Sequence, residues 1–189
     1  MKITDSGMPE ESYWNNLFDF PLIIDWLELK EQQQIVEIGC GYGSFTLPIA
    51  KAKPTSQLIA FDIEQEMLEI TQQHLKTQKV VNVTTQLKDV LAYGTELTND
   101  SVDLVLLFNM LHFLERDTLI KEAYRVLKPG GKIAIIHWRK DITTPRGPAM
   151  KLRPDYSDIT QAIKNLKLKP LNEGLLLKPY HWGIQLIKI

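Results

Sequence analysis

The chain has 189 residues, of which 44% are hydrophobic, and its formal net charge is −1. This length supports one hydrophobic core and leaves little room for another, so we expect a single domain over residues 1–189. Cys40 is the only cysteine, which excludes an intrachain disulfide and a cysteine-rich metal site, and we expect no metal. The sequence shows neither an apolar run of bilayer length nor a secretion signal, so we expect a cytoplasmic protein without a membrane span.

The N-terminal segment carries an apolar stripe at helical spacing, formed by Tyr13, Trp14, Leu17 and Phe18. A second apolar face follows over residues 21–29. Stripes of this kind are typical of helices that pack on a core. We therefore predict a helical segment over residues 1–30.

An apolar strand at residues 35–38 leads directly into three glycines at alternate positions, Gly39, Gly41 and Gly43. Glycine has no Cβ, so the backbone there can adopt positive φ and approach a ligand closely. A dinucleotide site would have its third glycine one residue later, where this chain has serine, and Glu37 would repel a pyrophosphate. The turn instead favours a cofactor with a positively charged end, which carboxylate and carbonyl oxygens attract.

A second apolar strand, at residues 57–61, ends at Asp62. A carboxylate at about this distance from the first glycine binds ribose hydroxyls in nucleotide-binding α/β folds. Asp62 is also suited to cap the helix predicted at residues 64–75. The pattern alone leaves both roles open.

Further strands alternate with helical patterns along the chain, which predicts a parallel sheet with helices on both faces. The strands are expected at residues 81–86, 102–108 and 132–137, and the helices at 44–50, 64–76 and 114–127. Pro129 and the glycines that follow it end the last of these helices.

The C-terminal part begins with a Pro-rich segment, residues 141–154, of a kind that often carries substrate contacts. Within it, Arg146 is suited to bind a carboxylate or phosphate, or else it is a solvated residue in a connecting loop. A helix at 157–166 precedes two final strands, at 168–180 and 182–189, with the turn between them at residues 181–183.

Four segments of the chain carry a family resemblance. They are Val36-Glu-Ile-Gly-Cys-Gly-Tyr-Gly43, Phe61-Asp62, Ser101-Val-Asp-Leu-Val-Leu-Leu-Phe-Asn-Met-Leu-His112 and Tyr124-Arg-Val-Leu-Lys-Pro-Gly-Gly-Lys132. In this order and spacing they resemble the class I S-adenosylmethionine-dependent methyltransferases, particularly the small-molecule branch related to the ubiquinone and menaquinone methyltransferases. The resemblance implies an α/β, Rossmann-like, doubly wound and mostly parallel seven-stranded sheet with a C-terminal antiparallel hairpin. Residues 31–140 would be its cofactor-binding core, and residues 141–189 would supply a substrate loop, a helix and the final hairpin.

The same resemblance implies ten contacts with S-adenosylmethionine. They are Glu37, Gly39, Gly41, Gly43, Asp62, Ile63, Asp89, Val90, Phe108 and Asn109. Glu37 and the glycine backbone would hold the methionine portion, and Asp62 the ribose hydroxyls. Ile63 and Val90 would sandwich the adenine, whose amino group Asp89 would receive unless it is only a turn residue. The two residues at the end of the fourth strand would lie beside the sulfonium.

The methyl acceptor should lie above the same strand ends, where methyl transfer requires alignment and sometimes a base. His112 and His137 are the candidate bases, although a packing role suits either histidine, and Arg139 lies within reach of the acceptor. In relatives the N-terminal helices close over the cofactor, so residues 1–30 would form a lid whose Tyr13 and Trp14 face a sulfonium or a cationic substrate. The chain has little length beyond the fifth strand, which favours a small-molecule acceptor over a lipid-sized one.

Charge is unevenly distributed along the chain. Residues 139–189 contain ten Lys or Arg against four Asp or Glu, giving +6, whereas residues 1–138 contain twelve against nineteen, giving −7. A surface that binds RNA has this composition, but so do solvated lysines on an edge strand, and we favour the second interpretation. Nucleic acid is thus a disfavoured partner. The alternatives to a small-molecule methyltransferase are a noncatalytic S-adenosylmethionine-binding protein, an RNA methyltransferase and a nicotinamide-dependent oxidoreductase.

Overall fold

The structure is a computed structural model that describes residues 8–189. Strands and helices alternate through most of this range, as the sequence predicts. The helices are α1 (Glu11–Asn15), α2 (Phe20–Leu27), α3 (Thr46–Ala52), α4 (Gln65–Thr77), α5 (Val90–Tyr93), α6 (Arg116–Val126) and α7 (Tyr156–Ala162), with a 3-10 turn at Met150–Leu152. The strands are β1 (Gln34–Ile38), β2 (Gln57–Asp62), β3 (Val83–Leu87), β4 (Val102–Phe108), β5 (Leu127–Trp138), β6 (Leu168–Pro170), β7 (Leu175–Leu177) and β8 (His181–Lys188). Residues 1–7 of the predicted lid lie outside the described residues.

One sheet contains all of these strands, in the order β3-β2-β1-β4-β5-β8-β6, with β7 also paired to β8. The first five positions are parallel, and β8 joins β5 in the antiparallel sense. The strand order reverses between β1 and β4, which is the place where open α/β sheets bind ligands. The predicted α/β, Rossmann-like fold is confirmed.

Alternation of apolar side chains along the strands explains why helices cover both faces of the sheet. In β4, Leu104 and Leu106 face a cluster that includes residues of α2 and α3. Val105 and Leu107 face the other cluster, which includes residues of α6 and α7. Strands buried on both faces in this way read as nearly continuous apolar runs in the sequence.

The C-terminal strands differ from the prediction. β6 and β7 pair with opposite ends of the same edge of β8, so one strand position is divided into two short segments. His181, Trp182 and Gly183 lie inside β8, and their predicted role as a turn is wrong. A Cβ on Gly183 would lie 2.9 Å from the ring of Trp26, so this glycine permits close packing within a strand.

Across residues 8–189, the helices are all too short or too polar to span a lipid bilayer.

Candidate functional site

A cavity of about 460 Å³ lies at the carboxyl ends of β1, β2 and β4. Its wall comes from the glycine turn, these strand ends, the N-terminal segment and the segment that follows β5. The predicted site residues in this wall are Trp14, Gly39, Gly41, Asp62, Ile63, Asp89, Val90, Phe108, Asn109, His112 and Arg146. The structure therefore gathers residues that are more than 130 positions apart in the chain.

The glycine turn has positive φ at Gly39, Gly41 and Gly43. The N–H groups of Gly39 and Cys40 donate to the carbonyl oxygen of Phe61, at 2.8 and 3.0 Å, which ties the turn to the end of β2. A Cβ on Gly39 would lie 2.3 Å from the sulfur of Met110. The turn thus brings main chain into the cavity wall, and the side chain of Met110 occupies the place that a Cβ of Gly39 would take. Cys40 is also part of the wall, and burial raises the pKa of its thiol.

Asp62 connects the turn to the start of the next helix. Its Oδ2 accepts the N–H of Gly41 at 2.8 Å, and its Oδ1 accepts the N–H of Glu64 at 2.9 Å. A carboxylate has about four lone-pair positions, so these two bonds leave further acceptor capacity on each oxygen. Asp62 lies in the cavity wall, and burial raises its pKa. The predicted capping role is not seen, because Glu64 is the N-cap residue of α4 and no side chain caps this helix. Asp62 instead fixes the position of Glu64 and faces the cavity.

Glu37 lies behind the turn and is not part of the cavity wall. It is only 1% exposed and accepts a hydrogen bond from Thr46 Oγ1 at 2.5 Å. Burial raises the pKa of Glu37 to about 8, and the charge of Asp62 adds to this effect. Gly43 is likewise outside the wall, packed against Thr71. Both residues support the turn from behind in this geometry.

Residues at the start of α5 form another part of the cavity wall. Asp89 Oδ1 accepts the N–H of Ala92 at 3.0 Å and so caps this short helix. Asp89 also lies in the cavity wall, together with Ile63 and Val90. Asp89 therefore caps α5 and is also placed to contact a ligand in the cavity.

The end of β4 presents a buried amide to the cavity. Asn109 has φ of 59°, and its N–H donates to the carbonyl oxygen of Ile136 at 2.7 Å. Its side-chain Nδ2 and Oδ1 are buried without a hydrogen-bond partner among residues 8–189. An amide left in this state costs free energy unless a ligand or water satisfies it. Asn109 is thus a strong candidate for a ligand contact, with Phe108 beside it in the wall.

The two candidate bases lie in different surroundings. His112 is part of the cavity wall, and burial lowers its pKa. His137 lies behind it, with ring centroids 5.8 Å apart, and does not reach the wall. Burial lowers the pKa of His137 to about 3, with the neighbouring His112 adding to the shift.

Aromatic and cationic residues form the remaining part of the wall. Trp14 and Trp138 both line the cavity, with ring centroids 6.3 Å apart, and Arg146 lies in the same wall. Tyr13 does not line the cavity. Arg139 is also outside the wall, where its guanidinium donates to both carboxylate oxygens of Asp141, at 3.0 and 2.6 Å.

Several residues of the cavity wall were not predicted individually from the sequence. Met110 and Phe113 flank His112, and their position just after a strand end is the only indication that they would face a ligand. Gly147 and Pro148 line the cavity and belong to the Pro-rich segment, which the sequence associates with substrate contacts only as a whole. Nowhere in residues 8–189 do three or more His, Cys, Asp or Glu side chains form a group that could hold a metal ion.

Comparison with known proteins identifies the family of this chain. Residues 35–131, about half of the chain, match the family described as "Methyltransferase domain". The chain belongs to the class I S-adenosylmethionine-dependent methyltransferases. The matched residues include the glycine turn, Asp62, Asp89 and Asn109, so the family match covers one side of the cavity described above.

Two relatives illustrate the range of this methyltransferase family. An uncharacterized methyltransferase-like protein of Schizosaccharomyces pombe is 34% identical over 132 residues, which cover 67% of this chain and 48% of that protein. A demethylmenaquinone methyltransferase of Lactobacillus johnsonii is 29% identical over 153 residues, covering 76% of this chain and 61% of that protein. The chain spans about half the length of the curated relatives it matches.

A solved structure shows the same fold over nearly the whole chain. The crystal structure of a SAM-dependent methyltransferase from Aquifex aeolicus is similar with a TM-score of 0.82 and 20% sequence identity. The similarity covers 95% of this chain and 94% of that one. At this identity the comparison supports the fold.

The residues present fit S-adenosylmethionine, the cofactor of this family. Asp62 retains acceptor capacity for hydroxyl groups, and the amide of Asn109 needs a partner. The wall also contains the carboxyl groups of Asp62, Glu64 and Asp89, which suit a ligand that carries positive charge.

Proposed function

We propose that this methyltransferase domain transfers the methyl group of S-adenosylmethionine to a small-molecule acceptor. The observation that carries the proposal is that residues suited to a cofactor and residues suited to an acceptor line the same cavity at the end of β4. We assign the glycine turn, Asp62 and Asp89 to the cofactor side, and Trp14, Trp138 and Arg146 to the acceptor side. A cofactor and an acceptor would meet at Asn109 and His112, which line the same cavity.

On the cofactor side, each proposed contact follows from a described position. Asp62 would accept hydrogen bonds from the ribose hydroxyls through its remaining lone pairs. Ile63 and Val90 would enclose the adenine, and Asp89 would receive its amino group. The main chain of the glycine turn would contact the methionine portion, with Glu37 supporting that turn from behind.

On the acceptor side, the protein has to align an acceptor atom and remove its proton. S-adenosylmethionine, when bound, supplies an electrophilic methyl group whose C–S bond breaks as the bond to the acceptor forms, leaving the electron pair on sulfur. Asn109 and Phe108 would hold the reacting groups in line and exclude water. His112 is the better-placed base of the two candidates, because it lines the cavity while His137 does not.

The proposed acceptor contacts are Trp14 and Arg146. Aromatic rings at Trp14 and Trp138 offer flat apolar surfaces, and a guanidinium at Arg146 suits a carboxylate or phosphate. Tyr13 and Arg139 lie outside the wall and would reach an acceptor only if the N-terminal segment or the loop after β5 moved. We propose that residues 1–30 act as a lid, since Pro9 and Trp14 already close one side of the cavity. The name of the Lactobacillus johnsonii relative, a demethylmenaquinone methyltransferase, supports a small-molecule acceptor rather than a protein or nucleic acid.

Asp62→Asn tests the cofactor side directly. We expect calorimetric titration with S-adenosylmethionine to show an affinity about 10- to 100-fold weaker in this variant, because charge-assisted hydrogen bonds to the ribose would be lost. Asp103→Asn is the matched control, since Asp103 also accepts a backbone N–H, from Gln34 at 2.7 Å, but lies outside the cavity wall. Equal effects in the two variants would contradict the site.

Methyl transfer itself is tested by following S-adenosylhomocysteine formation with a panel of small planar acceptors, with and without a carboxylate or phosphate. Formation of S-adenosylhomocysteine with any of these acceptors supports methyltransferase activity. Tight binding of S-adenosylmethionine with no product from small molecules or RNA would instead favour the noncatalytic binding protein. Binding of NAD in place of the sulfur ligands would overturn the proposal.

A further inference from the structure

Arg153 is a buried cation without an acidic partner among residues 8–189. It is 5% exposed, and burial alone accounts for the lowering of its pKa. Burying a charge in this way is costly unless every donor finds a partner. The buried guanidinium of Arg153 therefore requires hydrogen-bond acceptors close to it.

Three backbone carbonyl oxygens supply those contacts. Nε donates to the carbonyl of Pro148 at 2.9 Å, Nη1 to that of Arg139 at 2.7 Å and Nη2 to that of Arg146 at 3.2 Å. The carbonyls come from both ends of residues 139–148, the segment that follows β5. One planar guanidinium thus ties the beginning of this segment to its end.

The segment held by Arg153 forms part of the cavity wall. Arg146, Gly147 and Pro148 all line the cavity, and so does Trp138, over whose ring the Arg153 guanidinium carbon lies at 5.8 Å from the centroid. Gly147 has φ of 107°, and a Cβ on it would lie 2.8 Å from the Trp138 ring. Two sets of contacts therefore fix residues 146–148 in the wall. One is the three hydrogen bonds of Arg153, which we call the Arg153 clamp, and the other is the close approach of Gly147 to Trp138.

We propose that Arg153 is a positioning residue, which acts through residues 146–148 to fix the acceptor side of the cavity. The assignment of this part of the wall to an acceptor rests on the proposed function. The positioning of residues 146–148 by Arg153 rests on the hydrogen bonds alone. Arg153 does not itself line the cavity. Lysine should not replace Arg153 in this role. Its ammonium is a compact charge, whereas the planar guanidinium holds its donors in directions that reach three separate carbonyl oxygens.

Hydrogen exchange measured by mass spectrometry on the full chain tests the clamp without an acceptor. In Arg153→Gln and Arg153→Lys we expect exchange over residues 139–149 to be at least about tenfold faster, with β2 and α4 unchanged. Gly147→Ala should loosen the same segment while leaving Arg153 intact. This third variant keeps the test open if loss of the guanidinium prevents folding.

Arg125→Gln is the matched control. Arg125 also makes several hydrogen bonds, to Glu122, Asn99 and the carbonyl of Leu97, but lies outside the cavity wall. Its replacement should loosen residues 95–99 and leave residues 139–149 as they are. Faster exchange spread over the whole chain, or wild-type exchange in Arg153→Lys, would overturn the assignment.

Ligand measurements separate this inference from the proposed function. We expect the Arg153 variants to bind S-adenosylhomocysteine within about twofold of the wild type, and to raise the KM of an acceptor at least about tenfold. An unchanged acceptor KM would overturn the positioning role. If the wild-type chain bound no sulfur ligand, the proposed function would fail, and the exchange data would still decide whether Arg153 fixes this wall.

Discussion

His112 and His137 lie side by side, but only one of them faces the cavity. We expect His112→Gln to lower kcat by about 100-fold, the usual size of a general-base contribution. Activity should rise with pH as His112 loses its proton, with a midpoint below 6.5 because burial lowers its pKa. Initial rates between pH 5 and 8, at saturating cofactor, check this.

His137→Gln serves as the comparison for that experiment. The ring of His137 packs near His112 but cannot reach a ligand in the described geometry, so its replacement should lower kcat by only a few fold. A larger loss for His137 than for His112 would reverse the assignment of the base.

Individual site residues were predictable from the sequence where they follow a strand end in a parallel sheet. Asp62 is the last residue of β2, Asp89 lies two residues after β3 and Asn109 directly follows β4, and all three line the cavity. Glu37 was predicted to help hold the methionine portion of the cofactor, yet its side chain lies behind the turn and outside the cavity wall. The direction of a side chain at a strand end depends on local φ and ψ, which a residue pattern does not specify. Arg153 had no signal at all, because a buried arginine and a solvated one look alike in a Pro-rich segment.

Helix α1 has only five residues and none of them is buried. The segment before it is held to the glycine turn by Tyr42, whose hydroxyl donates to the carbonyl of Pro9 at 2.8 Å. In Tyr42→Phe we expect the free energy of unfolding to change by less than about 1 kcal/mol. Cofactor dissociation should be about three- to tenfold faster, because Pro9 forms part of the cavity wall.

Stopped-flow measurement of S-adenosylhomocysteine release checks the role of Tyr42. Tyr93→Phe is the control, since Tyr93 is exposed at the end of α5 and outside the wall. Release rates that match in the two variants would show that the N-terminal segment does not limit dissociation.

At the level of elements, the sequence predicted the five parallel strands and the helices α3, α4 and α6. It missed the short helix α5, and β5 begins at Leu127 rather than at the predicted residue 132. It failed at the C-terminal strands, where His181-Trp182-Gly183 resembled a turn. In the structure Gly183 lies within β8, where Trp26 leaves no room for a Cβ. His181 packs against Trp138 at 4.2 Å between ring centroids. Both contacts join residues distant in sequence, so local propensity could not reveal them.

For the whole molecule, buried titrating groups predict a maximum of stability near pH 6.5. His137 and His181 are buried and their pKa values are lowered from 6.5 to about 3, so the unfolded chain binds more protons below pH 6.5 and stability falls on acidification. The pKa of Glu37 is raised from 4.5 to about 8, so the folded chain keeps a proton that the unfolded chain has lost. Between pH 6.5 and 8 stability should therefore fall, by at most about 1.4 kcal/mol per pH unit.

Urea unfolding of Glu37→Gln between pH 6.5 and 8 isolates the alkaline part of this curve. The variant should show a nearly flat stability over that interval, since the amide does not titrate. Glu122→Gln is the control, because the pKa of Glu122 is lowered to about 2, chiefly by its hydrogen bond with Arg125. Its loss should reduce stability and leave the slope unchanged, and an unchanged slope in Glu37→Gln would refute the prediction.

Several cations in the basic C-terminal part of the chain form ion pairs. Arg139 binds Asp141, Lys140 binds Asp155 and Asp158, and Lys188 binds Asp100. Lys169 is exposed on β6, at the edge of the sheet, as the edge-strand interpretation expects. Surface pairs of this kind are weak and screened by salt, and they reduce the positive field available to a polyanion.

The state of Cys40 has a practical consequence for spectroscopy. The chain has no other sulfhydryl group, and this one is buried in the cavity wall, where burial raises its pKa and so disfavours the reactive thiolate. A fluorophore or spin label could therefore be attached to a cysteine introduced at the exposed Leu114 with Cys40 left in place. Distances from such a label to the N-terminal segment would report opening and closing in a chain whose native site is chemically untouched.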